Sequence, residues 1–297
     1  MPSDLRRQAV ELAQLLDEPL TVVDAGCRWG TQDEWLALGS AVRIYGFDPD
    51  EEECRRLSAS LPLGAPVEYV PLGLGARDGP RTLHITEEPA CSSLYPPDEE
   101  LVESIPELGV IELRETADVH LRTLDGWAAD AGVGRIDCMK LDVQGAELDV
   151  LRGATQSLRT TRMLEVEVTF NPIYKGQALF GEVDGFLRER GFVLWRLGHL
   201  VHYSRVNAAV VAASDRQFFD SRLIEFDSGP GQVFWGHAHY CAADMVRRAE
   251  PRSWMQAARD ACLAASFGFE DLMELAASPA LADTHPDDAA RLRRALR

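Results

Sequence analysis

Val22-Val23-Asp24-Ala25-Gly26-Cys27-Arg28-Trp29-Gly30 is an apolar run that stops at an acid and then turns through two glycines. A strand ending this way delivers its last residue to the carboxyl edge of a parallel sheet, where ligands bind, and glycine lets backbone approach them closely. The spacing is Asp-x-Gly-x-x-x-Gly, not the Gly-x-Gly-x-x-Gly that sets a helix N-terminus against a pyrophosphate. Asp24 would repel a pyrophosphate and attract a cofactor carrying an ammonium and a sulfonium. Asp48 ends the next apolar run about 20 residues later, the place of an acid that accepts hydrogen bonds from ribose hydroxyls. Asp24, Gly26, Gly30 and Asp48 are therefore the expected cofactor contacts.

A second group lies in Ile136-Asp137-Cys138-Met139-Lys140-Leu141-Asp142-Val143-Gln144-Gly145. Strand alternation puts Lys140 and Asp142 on one face, with Asp142 at the carboxyl end, so Asp142 is expected both to touch cofactor and to act in catalysis. Lys140 and Lys175 are the only lysines among 30 basic residues, so a compact ammonium is kept at 140 in a chain that otherwise writes arginine. A plainer reading has Lys140 pairing with a nearby acid to satisfy the strand end. Glu165 and Glu167 alternate on the following strand; Glu165 is expected to line an acceptor pocket or to pair with a helix arginine. His237-x-His239 with Cys241 offers ligand-type side chains, but no fourth ligand is evident, so packing or a pocket wall is expected and no metal. His237 could serve as a base, since an ordinary imidazole titrates near 6.5.

The elements that must position these groups alternate. Leu5 to Leu16 reads as an amphipathic helix stopped by Pro19, Leu20 to Val23 as a strand and Thr31 to Leu38 as a helix. Val42 to Phe47 is a strand, Glu51 to Ser60 a helix and Val67 to Leu72 a strand; Arg81 to Thr86 continues the pattern. Residues 87 to 119, rich in Pro and acids, predict an excursion loop with little regular structure. Thr123 caps a helix from Leu124 to Ala131, followed by a strand at Ile136 to Leu141 and a helix from Ala146 to Leu158. Met163 to Val168 and Phe192 to Leu197 read as strands around a helix at Val183 to Arg190. Val201 to Tyr203 could pair back as a hairpin, Gln232 to Cys241 is a last strand, and from Arg252 onward the chain is helical. The alternation predicts an α/β, Rossmann-like, doubly wound and mostly parallel sheet of about seven strands. The expected domains are an N-terminal helix (1–18), a cofactor-binding unit (19–245) and a helical C-terminal appendage (246–297).

The run Lys140-Leu141-Asp142-Val143-Gln144-Gly145-Ala146-Glu147, continued by Val150-Leu151-Arg152-Gly153, resembles the FkbM family of methyltransferases. Looser resemblance runs from about Leu20 to Asp244, through Phe47-Asp48-Pro49, Ser92-Ser93-Leu94, Thr123-Leu124-Asp125 and Leu164-Glu165-Val166-Glu167. The resemblance implies a methyltransferase sheet, S-adenosylmethionine as cofactor, and transfer to a hydroxyl of a sugar, lipid or natural product. One departure stands out: the family usually has glutamate where this chain has Gln144.

Composition sets limits. At 297 residues, with 46% hydrophobic and 26% charged side chains, the chain can bury a sizeable core. A formal charge of −18 repels nucleic acid and acidic membranes and suits a neutral or cationic small acceptor. No run reaches the roughly 18 apolar residues of a membrane span, and MPSDLRRQAV lacks a signal-peptide core, so a cytoplasmic protein with reduced cysteines is expected. The apolar face of the tail predicts core packing or a homodimer contact. Competing readings are a nicotinamide-dependent oxidoreductase of the same fold class, against which Asp24 argues, and a non-catalytic member.

Overall fold

A computed structural model describes residues 3–203, 231–247, 253–283 and 286–296. Its main sheet uses β1 (Leu20–Ala25), β2 (Val42–Asp48), β3 (Val67–Pro71), β7 (Cys138–Leu141), β8 (Met163–Thr169), β9 (Phe192–Tyr203) and β10 (Gln232–Ala242). Their order is β3-β2-β1-β7-β8-β10-β9, with β10 antiparallel to both neighbours and the other paired strands parallel. The central strands are buried on both faces, which is why Val22, Val23, Met139, Leu141, Leu164 and Val166 read as continuous apolar runs. This is the Rossmann-like, doubly wound sheet expected from the alternation.

A smaller sheet, β4-β6-β5, is built from β4 (Gly73–Leu74), β5 (Gly79–Thr86) and β6 (Leu113–Arg122). The sequence predicted a loop across much of this stretch, and the structure corrects it. Between β5 and β6 the chain forms a helix, α4 (Glu99–Ser104), capped by Asp98, and a 3-10 turn at Pro106–Ile111. β6 escaped notice because most of its side chains are exposed, so no apolar period marks it; its pairing with β5 holds it in place.

The helices are α1 (Ser3–Ala13), α2 (Asp33–Leu36), α3 (Glu51–Ser60), α5 (Leu124–Asp130), α6 (Glu147–Arg152), α7 (Phe180–Glu189), α8 (Ala243–Val246), α9 (Trp254–Ser266), α10 (Glu270–Asp283) and α11 (Pro286–Ala295). Asp50 caps α3 by accepting the amides of Glu52 and Glu53, and Thr123 caps α5 through the amide of Gly126. The helix foreseen from Ala146 to Leu158 stops at Arg152. A Cβ on Gly153 would fall 2.1 Å from the carbonyl oxygen of Gly75, so the chain must pass there as glycine and turn. The helix foreseen at Thr31 to Leu38 is a single turn. Val201–Tyr203 does not fold back: β9 runs on through His199, at positive φ, and pairs with β10.

The C-terminal helices share one hydrophobic core with the sheet. α9 packs on α1 and α10. Beneath the sheet, fully buried Asp137 accepts from Arg259 Nη2 at 2.7 Å, Arg135 Nε at 2.6 Å and the Thr21 amide at 2.9 Å. Arg259 also donates to the carbonyls of Glu18 and Pro19. Among the described residues no helix is long and apolar enough to cross a membrane.

Candidate active site

The strand order reverses between β1 and β7, and a cavity of about 640 Å³ opens there at the carboxyl ends of the strands. Asp24, Gly26, Gly30, Asp48, Lys140 and Asp142 all line it. Asp24 stands opposite Lys140 in the β1–β7 register. Lys140 Nζ lies 3.2 Å from Asp24 Oδ1 and 3.6 Å from Asp142 Oδ2, one ammonium between two carboxylates. Burial alone would lower the Lys140 pKa, but Asp24, Asp142 and Glu165 raise it, so it stays charged. Burial raises the Asp24 carboxyl against the pull of Lys140. Burial likewise raises Asp48, whose Oδ1 accepts the amide of Asp50 at 2.8 Å.

The turn from Asp142 to Glu147 carries the second half of the site. Glu147 is buried, and its Oε1 accepts the amides of Val143 at 2.8 Å and Gly145 at 3.2 Å, fixing the loop. Burial pushes its carboxyl up to about 7. Gln144 holds a positive φ of 54°, a conformation that stores strain in a non-glycine residue. Its side chain is spoken for at both ends. Nε2 donates to Asp142 Oδ1 at 3.1 Å and lies 3.4 Å from both oxygens of Glu167; Oε1 lies 3.0 Å from the Tyr174 hydroxyl.

Asp142 and Glu167 form an unequal pair. Burial alone would raise Asp142, but Lys140, His237 and hydrogen bonds from Glu167 and Gln144 bring it below its ordinary value. Burial, followed by the charges of Asp142 and Glu147, drives Glu167 well above its own. The two carboxyls are thus driven in opposite directions, Asp142 toward its charged form and Glu167 toward its neutral one.

Glu165 and His237 are not among the cavity-lining residues. Glu165 lies one alternation deeper along β8, where Oε1 meets His237 Nδ1 at 2.7 Å. Its partner is this imidazole rather than a helix arginine. His239 Nε2 is 3.9 Å from Glu165 Oε2. Burial opposes ionisation of Glu165, but His237, His239 and Lys140 together hold its carboxyl far below the usual range. Of the two glutamates it is Glu167 that reaches the cavity. The signal was its position nearer the carboxyl edge of the strand.

An aromatic part of the cavity wall was invisible in the sequence: Tyr174, Tyr203 and Trp235 pack with Leu108 and Ile111 in a second apolar cluster, and all five line the cavity together with Leu83 and Ile85 from the small sheet. Trp235 Nε1 donates to the Tyr203 hydroxyl at 3.0 Å. The segment 204–231, which together with the loop at 87–119 the sequence offers as a shaper of the acceptor pocket, lies outside the described residues except for Gly231.

Counting charges on the cavity lining gives eight acidic side chains against three basic ones. A site of that kind at the switch point of a doubly wound sheet belongs to the class of nucleotide-fold enzymes whose cofactor is cationic rather than a polyphosphate. The profile of the methyltransferase FkbM domain matches residues 32–194, more than half of the sequence. The chain belongs to the FkbM methyltransferase family, and S-adenosylmethionine is its methyl donor. The match begins just past the glycine turn and includes Asp48, Lys140, Asp142, Gln144, Glu165 and Glu167.

Among the similar curated proteins are two methyltransferases. The 2-O-methyltransferase NoeI of Sinorhizobium fredii is 27% identical over 176 residues, 56% of this chain and 71% of that protein. The methyltransferase sdnD of Sordaria araneosa is 26% identical over 208 residues, 63% of this chain and 78% of that protein. Among solved structures, magnesium protoporphyrin IX methyltransferase of Synechocystis with bound S-adenosylmethionine aligns at 15% identity. That alignment has a TM-score of 0.37 and covers 79% of this chain and 76% of that one.

Proposed function

We propose that this chain methylates a hydroxyl group of a small molecule, of the sugar, lipid or natural-product class. The observation that carries the reading is the Asp24–Lys140–Asp142 cluster at the switch point, opening into a cavity whose wall is partly aromatic. The similarity to NoeI, a 2-O-methyltransferase, supports oxygen as the acceptor atom.

The residues present suit the cofactor. Its chemistry is the supply of a methyl group on a positively charged sulfur, and the acidic lining favours that charge. Asp24, Gly26, Gly30 and Asp48 make the cofactor end of the cavity, with Asp48 placed to accept hydrogen bonds from ribose hydroxyls. Lys140 holds Asp24 and Asp142 in position. Asp142 stands between the cofactor end and the aromatic wall, where it orients the acceptor hydroxyl and accepts its hydrogen bond, the start of proton removal. Alignment of this kind contributes about 7–11 kcal/mol in the best cases, and a placed base about 10²- to 10⁴-fold. Glu165 acts from behind as a positioning residue.

Calorimetric titration with S-adenosylhomocysteine, run beside NADH and repeated on Asp48→Ala, tests the cofactor half. Micromolar binding of the homocysteine product, lost in the variant and absent for NADH, is expected. Equal binding by wild type and Asp48→Ala would remove Asp48 from the site, and no binding at all would remove the cavity assignment.

A further inference from the structure

The imidazole of His237 is 1% exposed, and its two nitrogens have different fates. Nδ1 meets the Glu165 carboxylate at 2.7 Å, while Nε2 is buried with no hydrogen-bond partner among the described residues. A buried ring nitrogen left without a partner is uncommon in folded proteins and calls for an explanation. In the neutral ring, an N–H at Nδ1 directed to Glu165 leaves the lone pair at Nε2. A carboxylate that fixes one nitrogen of an imidazole while the other points a lone pair into a site is the arrangement found behind metal-bound histidines.

The surroundings of that lone pair are the right ones. His237 stands directly opposite Glu167 in the β8–β10 register. Asp142 follows Leu141, which pairs with Val166, so all three side chains meet at the carboxyl edge. Ligand atoms from Asp142, Glu167 and His237 lie within 4.8 Å of one another. Asp142 and Glu167 line the cavity, which leaves the remaining coordination positions open to water or to an acceptor. The sequence suggested ligands only along β10, at His237, His239 and Cys241; the fold groups His237 with two acids from neighbouring strands instead.

We propose that Asp142, Glu167 and His237 Nε2 bind one hard divalent cation, Mn²⁺ or Mg²⁺, at the acceptor end of the cavity. Two carboxylate oxygens and one imidazole, with open positions for oxygen ligands, suit these ions better than the soft metals that select thiolates. Lys140 already neutralises one edge of Asp142, which makes this an exchangeable site rather than a permanent one. Gln144 bridges the two acids through Nε2. The ion's task, holding the acceptor oxygen, rests on the methyl-transfer reading above. Its binding does not.

The test is titration of the chelator-treated full chain with Mn²⁺, following free Mn²⁺ by electron paramagnetic resonance, with Mg²⁺ as competitor. One Mn²⁺ per chain is expected, displaced by Mg²⁺. Glu167→Gln and His237→Ala should abolish binding, and Glu165→Gln should weaken it about ten- to a hundredfold. S-adenosylhomocysteine titration of the same samples, with and without Mn²⁺, separates the two proposals and shows that each variant is folded. If wild type binds the homocysteine product but no Mn²⁺ at millimolar concentration, or if the folded variants bind Mn²⁺ as wild type does, the cation site is overturned and the methyl-transfer reading stands. If Mn²⁺ binds and the homocysteine product does not, the reverse holds.

Discussion

The Cβ that Gly26 lacks would fall 1.8 Å from the carbonyl oxygen of Asp142. The two halves of the site, the glycine turn after β1 and the acidic turn after β7, are thus in backbone contact, and the contact admits no side chain. Gly26 also holds a φ of 80°, which disfavours any replacement. Gly26→Ala should therefore cost more than the about 1–3 kcal/mol of a strained φ alone, read by urea unfolding, and should abolish S-adenosylhomocysteine binding. A variant as stable as wild type would show that the turns can separate freely.

Among the described residues Lys140 is the one cation shared by Asp24 and Asp142. Lys140→Met leaves two acids facing each other across the switch point, and breaking such a buried pair costs about 3–5 kcal/mol. Lys140→Arg keeps the charge but not the compact shape, so it should restore most of the stability and little of the cofactor affinity. Equal affinity in the arginine variant would show that charge alone is required.

Gln144 tests the balance of charge. Gln144→Glu replaces a donor to Asp142 and Glu167 with a third acid, and the pKa of such an added acid is raised by burial and like charge. The variant should lose stability as pH rises toward 8 and recover it near pH 5, where the added carboxyl is protonated. Thermal melts at both pH values read this, and a pH-independent loss would point to strain at the turn rather than charge.

Glu147 predicts a pH effect of defined sign. Its carboxyl sits at about 7 in the folded chain against an ordinary 4.5, so between those values the folded state keeps a proton that the unfolded state has released. This group's stabilising contribution is complete below about pH 4.5 and is lost as pH rises through 7. Glu147→Gln keeps an acceptor for the loop amides and removes the titration. Against wild type it should gain stability at pH 8 relative to pH 5 in urea unfolding; parallel curves for the two proteins would exclude Glu147 as their source.

Much of this was legible in the sequence because it obeys local rules. Val22-Val23-Asp24 and Met139-Lys140-Leu141-Asp142 read as buried strands ending in acids, and the end of a parallel strand is where ligands lie. Thr123 marked a helix start by its side-chain chemistry. What stayed hidden depends on pairing between distant segments. β6 has no apolar period of its own, and its order comes from β5. Whether Glu165 or Glu167 reaches the cavity depends on how deep each sits along β8. The partners of His237 come from β8 and from the turn after β7, whose nearness is a matter of strand order that no spacing along the chain encodes.

The buried ion pair beneath the sheet also sets a timetable for folding. Asp137 reaches its place at the foot of β7, but Arg259 follows 122 residues later. At roughly 5–20 residues per second, a ribosome takes about 6–24 s to deliver it. Until then Asp137 has Arg135 and the Thr21 amide but no α9 guanidinium to meet it, so closing the sheet over that carboxylate early forgoes its second ion pair. The base of the nascent sheet should therefore close fully only when α9 docks, so that the helices from α9 onward latch a structure whose carboxyl edge was assembled first.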